Sequence, residues 1–192
     1  MYEQLIRYIE EYAQARLTPA EVALIKSNFK PMSLKKRAYF LQAGAVSKYA
    51  GFITKGAMRQ YCVDDKGDEK IVHFYIENHW ATDRESFASG KPSLYTIEAW
   101  EDTDLLLITR EQIQALIKQV PALATMTQVM DERHAIATHK RLGSLIVGSA
   151  KMRYQEFMTN YPHFAQRFPQ HQIASFLGIT KETLSRVRRQ HP

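Results

Sequence analysis

The stretch QHQIASFLGITKETLSRVRR, Gln170–Arg189, decides how the chain is to be read. Ile173, Ala174 and Leu177 give its first half one apolar face at helical spacing. Gly178 then supplies the left-handed conformation that a sharp turn needs, and Ile179 can tuck inward. Thr180 caps a second helix. At ~100° per residue from Lys181, Ser185 falls at about 40°, Arg189 at about 80°, Glu182 at about 100° and Arg186 at about 140°. Val187 and Leu184 fall at about 240° and about 300°, on the opposite side. One face packs while the other presents Lys181, Glu182, Ser185, Arg186 and Arg189. That is what a helix-turn-helix needs if its second helix is to enter the major groove of duplex DNA. Arg and Lys suit guanine O6 and N7, Glu accepts from cytosine N4, and Ser serves either. The candidate DNA-binding residues are Thr180, Lys181, Glu182, Ser185, Arg186 and Arg189, joined by Gln172. Gln172, Arg167, His171 and Arg188 are read as meeting phosphate or solvent. The plainer reading is an amphipathic hairpin with a solvated basic face.

Charge favours the polyanion. The 192 residues carry 26 Lys and Arg against 20 Asp and Glu, a formal net charge of +6. Residues 1–133 hold 17 basic and 18 acidic side chains, and residues 134–192 hold nine and two, so the excess is C-terminal. With 45% hydrophobic residues the composition is that of a globular chain, not a disordered or membrane-embedded one. No apolar run approaches the ~18 residues of a membrane span, and Met1-Tyr2-Glu3-Gln4 lacks a signal peptide's opening, so the expected location is cytoplasmic. Cys62 is the single cysteine, which excludes an internal disulfide and a cysteine-held iron–sulfur cluster.

Outward from the hairpin, the rest of the chain divides into recognisable runs. Leu5, Ile6 and Ile9 with Tyr8 and Tyr12 predict an N-terminal helix, and Thr18-Pro19-Ala20-Glu21 opens a second with a capping box. From about Ser33 the pattern changes to short β-rich runs: 39–41, 50–54, 59–63, 71–76, 94–100 and 105–108. Gln42-Ala43-Gly44, Lys55-Gly56, 64–68 and 101–104 supply turn chemistry between them. This spacing predicts an antiparallel sandwich or barrel. A second box, Thr109 to Gln112, restarts helix, and Pro121 opens a longer one towards Leu145. Leu123, Met126, Met130 and Ala137 lie on its near-heptad stripe, which either packs on its own β domain or forms a seam between two copies. A further helix runs from about Ala150 to Asn160.

The C-terminal residues Ile173-Ala174 to Leu177-Gly178-Ile179-Thr180-Lys181-Glu182-Thr183-Leu184-Ser185-Arg186 resemble the winged helix-turn-helix of the Crp/Fnr family of bacterial transcription regulators. Lys181 stands where that family commonly has Arg. Ala43-Gly44, Phe52 to Gly56 and Asp65 to Glu69 resemble successive turns of its cyclic-nucleotide-binding-type β-roll, and the Pro121 helix resembles its dimerisation helix. The resemblance implies an α+β fold: an antiparallel β-roll of jelly-roll type flanked by helices, a long linking helix and a C-terminal winged helix-turn-helix. The corresponding segments are 1–118, 119–147 and 148–192. It further implies a homodimer on a two-fold related DNA site, in contact with RNA polymerase.

The sequence departs from the family in the nucleotide cassette. A cyclic nucleotide needs a Gly for close approach to its phosphate, a Glu for the ribose and an Arg paired to the phosphate. Residues 77–87 lack the Gly, Ser93 or Leu94 replaces the Arg, and Glu77, Asp83 and Glu85 would repel a phosphate. No cyclic nucleotide is therefore expected, no cofactor is predicted and the effector stays unknown. Arg84 is either a rewired anion contact or a salt-bridged surface residue. An apolar effector pocket could be lined by Phe52, Tyr61, Phe74, Trp80 and Tyr95 with Arg84, although aromatics at strand spacing are commonly core. Haem on Cys62 or His73 is conceivable; a lone strand Cys is commonly a small core residue.

Catalytic patterns are missing. Ser89-Gly90-Lys91 lacks the upstream Gly of a phosphate loop, with Glu85 in its place, and His134 and His139 do not share a helical face. The expectation is a non-enzymatic, homodimeric, sequence-specific DNA-binding regulator. The competing reading is a ligand-binding or interaction module whose basic helices contact a protein.

Overall fold

The computed structural model describes residues 1–189. In chain order the elements are α1 (Tyr2–Ala13), α2 (Pro19–Asn28), β1 (Lys30–Leu34), β2 (Tyr39–Leu41), β3 (Tyr49–Lys55), β4 (Met58–Val63), β5 (Glu69–Tyr75) and β6 (Trp80–Ala81). There follow α3 (Arg84–Ser89), β7 (Thr96–Ala99), β8 (Thr103–Thr109), α4 (Arg110–Leu116), α5 (Pro121–Val147), α6 (Ala150–Asn160), α7 (Pro162–Arg167), α8 (Gln170–Phe176) and α9 (Lys181–Arg189).

The strands make two four-stranded sheets, ordered β1-β8-β3-β6 and β2-β7-β4-β5. The pairs β1–β8, β3–β8, β3–β6 and β2–β7 are antiparallel. Strand alternation explains both layers of core. Leu34, Leu41, Ile53, Met58, Tyr75, Ala81, Ile97, Ala99 and Leu105 come from all eight strands and cluster together, which makes them the filling between the sheets. The neighbours of these residues point the other way. Ala50, Phe52, Leu106 and Ile108 pack instead against Leu5, Ile9, Ile25, Leu116, Leu123 and Met126 of the helices. This is the expected β-roll of jelly-roll type flanked by helices.

Local chemistry fixes the element ends. Thr18 and Glu21 form a reciprocal capping box on α2, and Thr109 and Gln112 form one on α4. Gly56, at φ +98°, makes the β3–β4 turn, where a Cβ would lie 2.5 Å from the Asp102 carbonyl oxygen, so no other residue fits. Its N–H donates to the Glu77 carboxylate at 2.7 Å.

Two compact units result: residues 1–60 with 75–132, and residues 61–74 with 133–192. The second unit is thus discontinuous, joining the β4–β5 hairpin to the C-terminal helices, and the division falls inside α5. The fold differs from expectation in one respect. Among the described residues every element after β8 is helical, so the expected wing has no counterpart there. No helix among the described residues is long and apolar enough to cross a membrane.

Candidate nucleic-acid interface

The helix-turn-helix of α8 and α9 lies in the second unit. Helix α8 ends at a turn in which Gly178 takes φ +64°, with its N–H donating to Ser175 O and that of Ile179 donating to Ala174 O, both at 3.0 Å. These bonds satisfy carbonyls that the end of α8 would leave open. The Thr180 hydroxyl accepts from Thr183 N–H at 3.2 Å and caps α9, as the sequence predicts.

Leu184 and Val187 are buried, and Lys181, Glu182, Ser185, Arg186, Arg188 and Arg189 are exposed. The apolar side of α9 is therefore a seam against the unit, and the opposite side is a continuous polar and basic surface. The Glu182 carboxyl is held below the usual carboxylate range, first by its own backbone N–H and then by the Thr180 hydroxyl. It stays an anion at neutral pH and turns back onto the start of its helix.

Gln172 corrects the sequence reading. It is 3% exposed and its Oε1 has no hydrogen-bond partner, so it sits under α8 and cannot meet a phosphate. The reason is Phe176. It is also buried and widens the apolar arc of α8 until the arc includes Gln172.

In the first half of the long helix the stripe takes the first of its two expected alternatives, packing on its own β domain. Leu123 and Met126 are buried in the first unit's core, and Met130 packs against that core with its sulfur 3.0 Å from the Tyr8 hydroxyl. Leu123 and Met126 are packed into their own roll, and Met130 is partly covered by it. Ala137 is exposed. The large apolar side chains exposed on α5 lie in its second half, at Ile136, Leu142, Leu145, Ile146 and Val147.

The candidate effector residues are structural. Phe52 and Trp80, with ring centroids 5.3 Å apart, and Phe29, 6.0 Å from Trp80, build the helix-covered core of the first unit. In the second unit Tyr61 is buried and Phe74 stacks on Phe168 at 4.0 Å. Tyr95 is half-buried, its N–H donating to Ser93 Oγ. Arg84 pairs with Asp131 at the surface, the salt-bridged alternative. Phe52, Trp80 and Phe74 are thus engaged in packing, the commoner role of aromatics at strand spacing.

The polar groups of the cassette around α3 are engaged with one another. The Asp83 carboxylate accepts from Glu85 N–H at 3.2 Å and already caps the α3 N-terminus. Glu77, a candidate for a ribose hydroxyl, holds the Gly56 turn. Ser86 accepts from Ser47 N–H and donates to the Lys91 carbonyl, while the Ser47 and Thr82 hydroxyls bond each other at 3.3 Å. Leu94 is exposed and Ser93 bonds within its own turn.

Residues 31–120 match the cyclic nucleotide-binding domain family. No curated protein matches the chain. Among solved structures, FixK2 of Bradyrhizobium japonicum is similar with a TM-score of 0.72 and 20% identity, covering 84% of this chain and 83% of that one. CLP of Xanthomonas campestris, described as a c-di-GMP responsive global regulator, gives 0.70 and 13%, covering 90% and 91%. A protein of Eubacterium rectale assigned to the crp/fnr family gives 0.62 and 21%, covering 91% and 83%. These likenesses show the shared fold.

Proposed function

We propose that this chain, with a cyclic nucleotide-binding-type roll at residues 31–120 and the fold of Crp/Fnr-type regulators, is a homodimeric, sequence-specific DNA-binding transcription regulator. The exposed basic face of α9, raised on the buried Leu184 and Val187 after a Gly178 turn, carries the reading. Lys181, Glu182, Ser185 and Arg186 read base edges from the N-terminal part of the helix, Arg189 extends that face, and Arg188 and Thr180 meet phosphate. Lys181, Arg186 and Arg189 outnumber the single anion Glu182 on this face, the charge balance that a polyanionic partner requires.

A second copy covers the four most exposed large apolar side chains of α5, Ile136, Leu142, Ile146 and Val147, which at ~100° per residue fall within an arc of about 140°. The dimer doubles the reader, so the preferred duplex carries two related half-sites about one helical turn apart. RNA polymerase is the further partner that the family resemblance brings. The roll does not take a cyclic nucleotide, because the anion place is filled by Asp83 and the paired Arg is missing.

Selection from a random duplex library, followed by gel-shift titration against salt, tests the reading. The expected result is an enriched two-fold site whose affinity falls steeply with salt, with a slope of about −0.9 per phosphate contact. No enrichment, with capture of a protein partner through α9, would establish the interaction-module reading instead. Calorimetry with cAMP is expected to show no saturable heat, and tight binding would overturn the reading of the cassette.

A further inference from the structure

We infer that Ser175 and Arg141 are positioning residues for DNA reading: they fasten the first helix of the reader to the backbone of strand β5 and thereby set the pose of α9. The inference rests on the DNA-reading role proposed above. Strand β5 is terminal in its sheet, so one backbone edge has no strand beside it. Within the second unit, side chains take that place. The Ile71 N–H donates to Ser175 Oγ at 2.9 Å, and the Ser175 hydroxyl donates to the Glu69 carbonyl at 3.2 Å. One hydroxyl thus acts as both acceptor and donor, copying the pair of bonds that a neighbouring strand would make.

Arg141 of α5 adds a second fastening. Its guanidinium donates to the Val72 carbonyl and, at 3.0 Å, to the Phe176 carbonyl, and lies 4.0 Å from the Phe176 ring centroid. The charge is thereby met by carbonyl dipoles and a π face. Phe74 completes the contact by stacking on Phe168 at 4.0 Å and meeting Phe176 at 5.3 Å. Ser175 and Phe176 are the two residues before the Leu177-Gly178 turn, so holding them holds the start of α9. Neither Ser175 nor Arg141 lies on the α9 face that reads DNA. Their effect on DNA is exerted through geometry.

The test uses the full-length protein with Ser175→Ala, Ser175→Thr and Arg141→Lys. Hydrogen exchange at the Ile71 amide reports the contact itself, and gel shift on the selected duplex at several salt concentrations reports the reader. Ser175→Ala is expected to speed exchange at Ile71 and weaken specific binding about fivefold, the loss of one or two hydrogen bonds. The active fraction by stoichiometric titration and the salt slope stay those of the wild type, since no phosphate contact is removed. Ser175→Thr, which keeps the hydroxyl, restores both readouts. Arg141→Lys, which keeps the charge but loses the planar fork, weakens specific binding in the same way. Wild-type affinity in Ser175→Ala or Arg141→Lys, or unchanged exchange at Ile71 in Ser175→Ala, overturns the inference. Failure of the wild type to select any duplex would instead overturn the DNA-reading role, and shows before any variant is compared.

Discussion

The Arg59 guanidinium and the Glu98 carboxylate lie 2.6 Å apart on the neighbouring strands β4 and β7, with side chains only 10% and 9% exposed. Trp100 backs the pair, its ring centroid 5.5 Å from the guanidinium carbon. Removing one partner of a buried pair leaves a stranded charge. Glu98→Ala should therefore cost ~3–5 kcal/mol in urea unfolding, whereas Arg59→Met with Glu98→Leu should be near neutral. Equal destabilisation by the single and double replacements would show that something other than the ion pair holds these strands.

On the proposed function Arg186 reads bases and Arg188 meets phosphate, and the two replacements should differ accordingly. Arg186→Ala should lose ~1–3 kcal/mol on the selected duplex and relax preference at one base pair. Arg188→Ala should weaken all duplexes alike and reduce the salt slope by about 0.9. Gel shifts on the selected site and on single-base variants measure both, and a uniform loss for Arg186→Ala would move that residue to the phosphate class.

The two halves of α5 should respond differently to mutation. Leu123 is fully buried, so Leu123→Ala should cost ~2–5 kcal/mol of stability without changing the oligomeric state. Ile136→Glu with Ile146→Glu should leave thermal unfolding of the protomer nearly unchanged and yield monomers in sedimentation. A dimer that survives both charges would remove this face from the seam.

His79 gives the protein an acid-side liability near neutral pH. Burial pushes its pKa below the ordinary histidine value, against the smaller raising effect of hydrogen bonds to the Glu77 and Ile76 backbone. The unfolded chain then binds the proton more readily, so stability is complete above about pH 7 and is lost as pH falls through about 6.5. The carboxyls of Glu10, Glu21 and Asp102, all held low by hydrogen bonds, keep their contribution through this window. Denaturant midpoints at about pH 7.5 and about pH 5.5 should differ less in His79→Gln than in the wild type. An equal difference would place the liability on another group.

Local codes were legible in the sequence, and the identity of packing partners was not. The boxes at Thr18 and Thr109 and the turn at Gly178 depend on neighbours in the chain, and each forms where its residues predict. Strand β1, with the residues Lys30-Pro31-Met32-Ser33-Leu34, buries only Leu34 and owes its conformation to pairing with the distant β8, Lys30 opposite Leu107 and Leu34 opposite Thr103, so no local pattern announces it. Leu123 and Met126 are apolar at heptad spacing whether the partner is a second copy or their own roll. Periodicity states that a face is buried and is silent on what buries it. The reader's exposed face followed from the helical wheel. Gln172 was misplaced because Phe176, at about 300° from Ile173, was left out of the apolar arc that reaches Gln172 at about 260°. Ser175 and Arg141 carry no periodic signal, since their partners are backbone atoms of a distant strand.

The membership of residues 61–74 in the C-terminal unit has a consequence for biosynthesis. The hairpin leaves the ribosome well before α7 and α8 have been translated, so Phe74 waits without the rings of Phe164, Phe168 and Phe176 that later enclose it. A nascent roll therefore carries an exposed aromatic side chain and an unprotected strand edge until α7 and α8 have been synthesised. The same order applies to gene design: a fragment ending in α5 would keep the hairpin and discard its cover, so a clean separation of the two units cannot be made by truncation alone.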